Sequence, residues 1–174
     1  MFNWKMIYAP NYLCRNTELK TIKDIKESCF EIIRVEVPGC LELDLMREGK
    51  ISDLYYLTNT LEAQRLENMH IWYFSEFDVK NPNSHLHFEG IDTFSEIYIN
   101  GVFAGKIDNM LIPHDIYTDF QTGKNEVVVH ILSTYTGIRK YELPAACFAL
   151  RYGYAPLNAR KAAHMFGWDI MPRI

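Results

Sequence analysis

Within FGWDIMPRI, residues 166–174, a tryptophan and an aspartate stand side by side, and an arginine follows four residues after the aspartate. An indole offers a flat apolar wall, and a carboxylate beside it accepts hydrogen bonds. Amphipathic ligands such as sugar rings need that combination. Trp168 and Asp169 are therefore the candidate binding residues. A second reading uses the same atoms: a buried indole beside an Asp169–Arg173 ion pair. The residue types leave both open.

The other chemistry-bearing residues read more plainly. Glu76 and Asp78 lie two apart in IWYFSEFDV and share a strand face, as a solvated charged face does. Glu126 and His130 share a face less closely. Glu89 and Asp92 flank the turn after HLHFEG, which fits a structural role. His85 and His87 also share a strand face, but no third ligand stands near them in sequence, so no metal site is expected. Cys14, Cys29, Cys40 and Cys147 form no C-x-x-C pair. They read as free thiols, with a disulfide left open by their even number. No phosphate-binding loop, dinucleotide fingerprint or G-x-S-x-G turn is present, and no cofactor is expected.

The elements that must position these residues are mostly strands. FEIIRVEV, residues 30–37, predicts a strand stopped by Val37-Pro38-Gly39. LELDLMREGK predicts a short helix ended at Gly49, and TNTLEAQRLEN a second one. IWYFSEFDV is aromatic and β-branched. HLHFEG alternates Leu86 and Phe88 against His85 and His87. Asn100-Gly101 sits between two alternating runs, where a two-residue hairpin turn needs positive φ at both positions. EVVVHIL alternates Val127, Val129 and Ile131 against Val128 and His130. Residues 133–156 read as a long aromatic loop. Short strands between turn residues predict an all-β sandwich, with one or two short helices near the N-terminus.

The 174 residues suit a single domain spanning 1–174. The net charge of −4 and the lack of a basic block argue against nucleic acid as a partner. No run of about 18 apolar residues occurs, so no membrane partner is expected. MFNWKMIYAPNY has no charged n-region followed by an apolar stretch, so no signal peptide is expected, and the compartment stays open.

Several stretches together resemble the N-terminal sugar-binding-type domain of family 2 glycoside hydrolases, in particular its β-mannosidase-like branch. LHFEGIDTFSEIYINGVFAGKIDNMLIPHDIYTDFQTGKNEVVVHI, residues 86–131, is similar to that domain's ordered signature: F-x-G-x-D, then N-G, a further glycine, P-H, and G-x-N. VPGCLELDLMREGKISDLYY and IWYFSEFDV resemble two preceding segments, and Trp4 in WKMIY resembles an opening strand. RKAAHMFGWDIMPRI resembles a segment that reads roughly R-K-x-x-x-x-F-G-W-D-W-G-P-R. Ile170-Met171 depart from it, which leaves the backbone path and the sugar preference open.

The resemblance implies a jelly-roll β-sandwich of the galactose-binding-domain-like type. It implies that Trp168 and Asp169 contact the sugar whose bond is cut, while Arg173 is structural. It further implies a β-linked, mannoside-like substrate and a catalytic barrel domain of the same polypeptide as partner. The family's catalytic glutamates lie in that barrel of roughly 250 residues, so this chain is expected to lack catalytic residues and to be part of a longer enzyme. Three alternatives remain: a stand-alone carbohydrate-binding module, a purely structural domain, or a domain of another family 2 glycosidase such as a β-galactosidase or β-glucuronidase.

Overall fold

The computed structural model describes residues 2–14, 17–138, 141 and 159–162. Among them, eight strands form two antiparallel sheets: β1 Lys5–Pro10, β2 Ile33–Arg34, β3 Met69–Val79, β4 His85–Phe88, β5 Ser95–Ile99, β6 Val102–Ile107, β7 His114–Tyr117 and β8 Gly123–Ile131. The large sheet has the order β2-β1-β3-β8-β5-β6, and β4 pairs with β7 in a small one. The chain shuttles between them. It leaves the large sheet after β3, forms β4, returns for the β5–β6 hairpin, forms β7, and inserts β8 between β3 and β5. The all-β sandwich expected from the turn spacing is the observed fold.

Inward residues alternate as the pleat requires. Tyr73 stands opposite Val129, which stands opposite Ile97, which stands opposite Gly105. This face packs on Leu86, Phe88 and Ile116 of the small sheet, giving a core with Ile97, Ile99, Ile107, Val127 and Val129. Each fully buried aliphatic side chain here contributes about 1.5–3 kcal/mol. Gly105 lets the sheets approach closely. A Cβ there would stand 2.8 Å from the Ile116 side chain.

The opposite face of the large sheet is also covered. Helix α1, Ile22–Glu27, lays Ile22 and Ile25 on Ile7, Ala9, Trp72, Phe74 and Val128. Double coverage explains why Val127, Val128 and Val129 are all buried, an apolar run rather than an alternation. The sequence reading missed α1. Its start carries a capping box: the Asp24 amide donates to the Thr21 hydroxyl, and the Thr21 amide donates to the Asp24 carboxylate. Hydrogen bonds to the Asp24 carboxylate, first from the Thr21 side chain and then from the Thr21 and Lys20 amides, hold it below the usual range.

Helix α2, Leu41–Arg47, lies in a second cluster with Met6, Ile33 and Leu66. It is followed by Gly49 at φ +66, the predicted left-handed stop. Helix α3, Thr60–Ala63, continues into a 3-10 turn over Gln64–Leu66, as TNTLEAQRLEN predicts. The predicted strand over residues 30–37 contracts to the two residues of β2, an edge strand paired with β1. Within the stretch read as loop, Thr134–Ile138 forms helix α4. Gly137 lets α4 pack on Phe94, because a Cβ at that position would collide with the ring.

Candidate functional site

Trp168 and Asp169 lie outside the described residues. What is described is the docking of the stretch that precedes them. Lys161 Nζ lies 2.6 Å from Asp92 Oδ2, with the Lys161 side chain 1% exposed and that of Asp92 24%. The Thr93 hydroxyl donates to the other Asp92 oxygen. Arg160 forms a parallel bridge with Asn109, and its carbonyl accepts from the Met110 amide at 2.9 Å. A buried ammonium is tolerated only when paired, and Asp92 supplies the pair. The structural role expected for Asp92 is thus met by a residue from the far end of the chain.

The F-x-G-x-D signature has a physical content in this geometry. Phe88 faces the sandwich core. Gly90 allows the 108–112 loop to approach, since a Cβ at Gly90 would lie 2.9 Å from the Met110 carbonyl oxygen. Met110 in turn binds Arg160, and Asp92 binds Lys161. The signature therefore holds the stretch that leads toward FGWD.

N-G and G-x-N are likewise one unit. Asn100 and Gly101 take φ +51 and +78, the predicted hairpin turn. Asn100 Nδ2 donates to Asn125 Oδ1 at 2.9 Å, and the Glu126 amide donates to Asn100 Oδ1 at 3.0 Å. Asn125 Nδ2 donates to the carbonyls of Gln121 and Gly123. Glu126 itself accepts from the Ile22 amide at the start of α1, a structural use of that carboxylate.

Two histidine clusters lie on the outward faces of the two sheets. On the large sheet, His70 Nδ1 and His130 Nε2 are 2.8 Å apart, and His70 Nε2 is 2.9 Å from Asn11 Oδ1. With the Asn11 oxygen accepting, His70 carries its proton on Nε2, so His130 Nε2–H donates to His70 Nδ1. Trp72 stacks on His130 with ring centroids 4.3 Å apart at 5°. Burial, and secondarily the neighbouring His70, pushes the His130 imidazole down to about 3. Burial lowers His70 as well, opposed by the charge of Glu96.

On the small sheet, His85, His87 and Asp115 point outward. His87 Nδ1 lies 2.6 Å from Asp115 Oδ1, and His85 Nε2 lies 3.5 Å from the same oxygen. The hydrogen bond raises the His87 pKa and lowers that of Asp115. Strand β7, which supplies Asp115, was not recognised in the sequence. Its signal was the alternation of His114 and Ile116 against Asp115 and Tyr117, too short to stand out between Pro113 and the turn that follows.

A cleft of about 360 Å³ runs beside β1, β3 and α1. Its rim carries Lys5, Lys26, Glu76, Asp78 and Lys124, with Phe74 at its wall. Glu76 and Asp78 are exposed, as expected for a solvated face. Cys14, Cys29 and Cys40 are free thiols, and burial raises Cys14 and Cys40 to about 11, which keeps them protonated. Cys147 lies outside the described residues.

Residues 16–174 match the family model described as glycosyl hydrolase 2 galactose-binding domain-like. The chain is 27% identical over 150 residues to β-mannosidase B of Thermothelomyces thermophilus, covering 80% of this chain and 17% of that protein. It is 30% identical over 151 residues to the β-mannosidase of Capra hircus, covering 78% of this chain and 17% of the other. Among solved structures, a β-D-mannosidase from Dictyoglomus thermophilum superposes with a TM-score of 0.73 at 31% identity, covering 99% of this chain and 20% of that one. The Amycolatopsis orientalis exo-chitosanase, at 17% identity and a TM-score of 0.58, shares the fold. The chain thus spans about a fifth or less of the relatives it matches.

Proposed function

This chain belongs to the glycosyl hydrolase 2 galactose-binding domain-like family, and on that premise we propose that it is the accessory domain of a retaining β-glycoside hydrolase of the β-mannosidase type. It packs on a catalytic barrel domain of the same polypeptide and supplies Trp168 and Asp169 to the substrate pocket. Trp168 stacks on the sugar ring, and Asp169 accepts hydrogen bonds from its hydroxyls.

The observation that carries this reading is the anchoring of residues 159–162. A buried ion pair and a backbone bridge fix the start of the segment, and seven residues then lead from Lys161 to Trp168. That is at most about 25 Å of extended chain. A ligand-contacting residue must be delivered to a set place, and a rigid launching point limits where it can go. A further observation supports a large partner domain. Tyr55, Tyr56, Leu57 and Leu61 are all exposed within seven residues, an apolar strip suited to packing against another domain.

The chain alone is expected to give no turnover of an aryl β-mannoside above buffer, since the acid and nucleophile belong to the barrel. In the whole polypeptide, Asp169→Ala removes charged hydrogen bonds to the sugar, each worth about 1.5–3 kcal/mol, so kcat/KM is expected to fall roughly ten- to a hundredfold. The melting temperature should hardly change. If kcat/KM survives and the melting temperature drops by several degrees, Asp169 is a structural partner of Arg173 and the reading fails.

A further inference from the structure

The outward face of the small sheet holds a set of groups that the sandwich does not need for its core. β4 and β7 are antiparallel, with His87 directly opposite Asp115 and His85 opposite Tyr117. This register puts Asp115 beside His87 and diagonal to His85, so three ligand-bearing side chains converge from two strands. The sequence shows only the His85–His87 pair. The third group is 28 residues away from His87 and is supplied by the pairing. Their donor atoms all lie within 4.8 Å of one another.

We propose that His85, His87 and Asp115 form a binding site for a borderline divalent cation of the zinc class. Two imidazoles and one carboxylate are a donor set that suits zinc and its neighbours rather than magnesium or calcium, which prefer all-oxygen shells. Around a tetrahedral ion with bonds of about 2.0–2.2 Å, donors sit roughly 3.5 Å apart. His85 Nε2 and Asp115 Oδ1 already stand at that distance, 3.5 Å. His87 Nδ1 and Asp115 Oδ1, at 2.6 Å, must open by about 1 Å around such an ion. The side chains are 42–47% exposed, so rotation about their own bonds achieves this without moving the strands.

Two neighbours favour the arrangement independently. With Nδ1 turned to the ion, the remaining His87 nitrogen, Nε2, faces Glu89 Oε1 at 3.9 Å. Glu89 is exposed, and a rotation of its side chain that closes this gap to hydrogen-bond distance orients the ligating imidazole and raises its basicity. Tyr117 lies against His85, ring centroids 5.0 Å apart, and restricts its rotation. The fourth position opens to solvent, so the ion keeps an exchangeable water. Bound there, it cross-links β4 to β7, the two strands of the small sheet.

The test is calorimetric titration of the chain with zinc chloride, with magnesium chloride as control. The same titration is run on Asp115→Asn, His87→Gln, and the triple variant with His85→Gln added. Zinc should bind once with micromolar affinity, raise the melting temperature and shift the His85 and His87 imidazole resonances, and magnesium should do none of these. Each single variant should bind zinc at least about tenfold more weakly and the triple variant not at all. All variants should melt normally in metal-free buffer. Equal zinc affinity in the triple variant would mean that the ion sits elsewhere, for example on the exposed Cys29, and would overturn the proposal. Absence of zinc binding by the unaltered chain would do the same.

Discussion

The two outward histidine clusters use the same side chain on the same kind of strand, and their surroundings turn it to opposite ends. On the large sheet His130 stacks on its cross-strand neighbour Trp72, and His70 is capped by Asn11 of the turn that follows β1. Desolvation disfavours the imidazolium, so both stay neutral and serve as a polar brick in an apolar wall. On the small sheet His85 and His87 face water with carboxylates beside them, and nothing prevents them from taking up a cation. What separates them is coverage: α1 and the turn before it cover one sheet, while nothing among the described residues covers the other. A histidine's chemistry is thus set by which layer lies above the strand.

The sharpest break of this contrast is His130→Ala. It removes a stacked, half-buried ring and leaves His70 Nδ1 without its donor, which should cost about 3 kcal/mol. A urea midpoint that barely moves would mean that the His70–His130 pair carries no structure.

Acidification comes next. The folded His130 pKa, about 3, lies below the unfolded value of 6.5, so the unfolded state binds more protons below pH 6.5. Stability is then full above pH 6.5 and falls by about 1.4 kcal/mol per pH unit beneath it, roughly 2 kcal/mol by pH 5. His130→Gln should flatten that slope. A slope that survives the change assigns it to other groups.

A reference outside both clusters is Gly101→Val. A β-branched residue at φ +78 is strained, and its Cβ would come 2.9 Å from Thr21 Cγ2. The loss should be about 1 kcal/mol or more, read from the denaturant midpoint. The smallest effect belongs to the exposed pair. In metal-free buffer His85→Gln and His87→Gln should leave the melting temperature unchanged. A clear drop would show that these residues brace the sheet without any ion.

What could be read in advance follows the range of the interactions involved. The Asn100-Gly101 turn, the Gly49 stop and the alternation in HLHF are local, because each depends on neighbours within a few positions. The β2 strand was overestimated because Ile32 and Val37 are apolar yet exposed, and only the pairing with β1 decides where the ladder ends. α1 went unseen because six residues carry little periodicity, although Thr21 and Asp24 mark its start. The third ligand Asp115 and the Lys161–Asp92 pair are long-range products of topology, invisible to spacing. For Trp168 and Asp169 the sequence still supplies the argument, since they fall outside the described residues.

The Lys161–Asp92 contact joins residues 69 positions apart, and on a ribosome that separation is a delay. At about 5–20 residues per second, Asp92 is made some 3–14 s before its lysine exists. The last strand among the described residues, ending at Ile131, is complete 30 residues earlier than Lys161. Until Lys161 exists, the Asp92 carboxylate lacks its cation and has the Thr93 hydroxyl as its side-chain partner. Lys161 is thus a latch made after every described strand. A chain released short of that point keeps all eight described strands and leaves an unpaired carboxylate at Asp92, a state that differs from the latched one by that single charge.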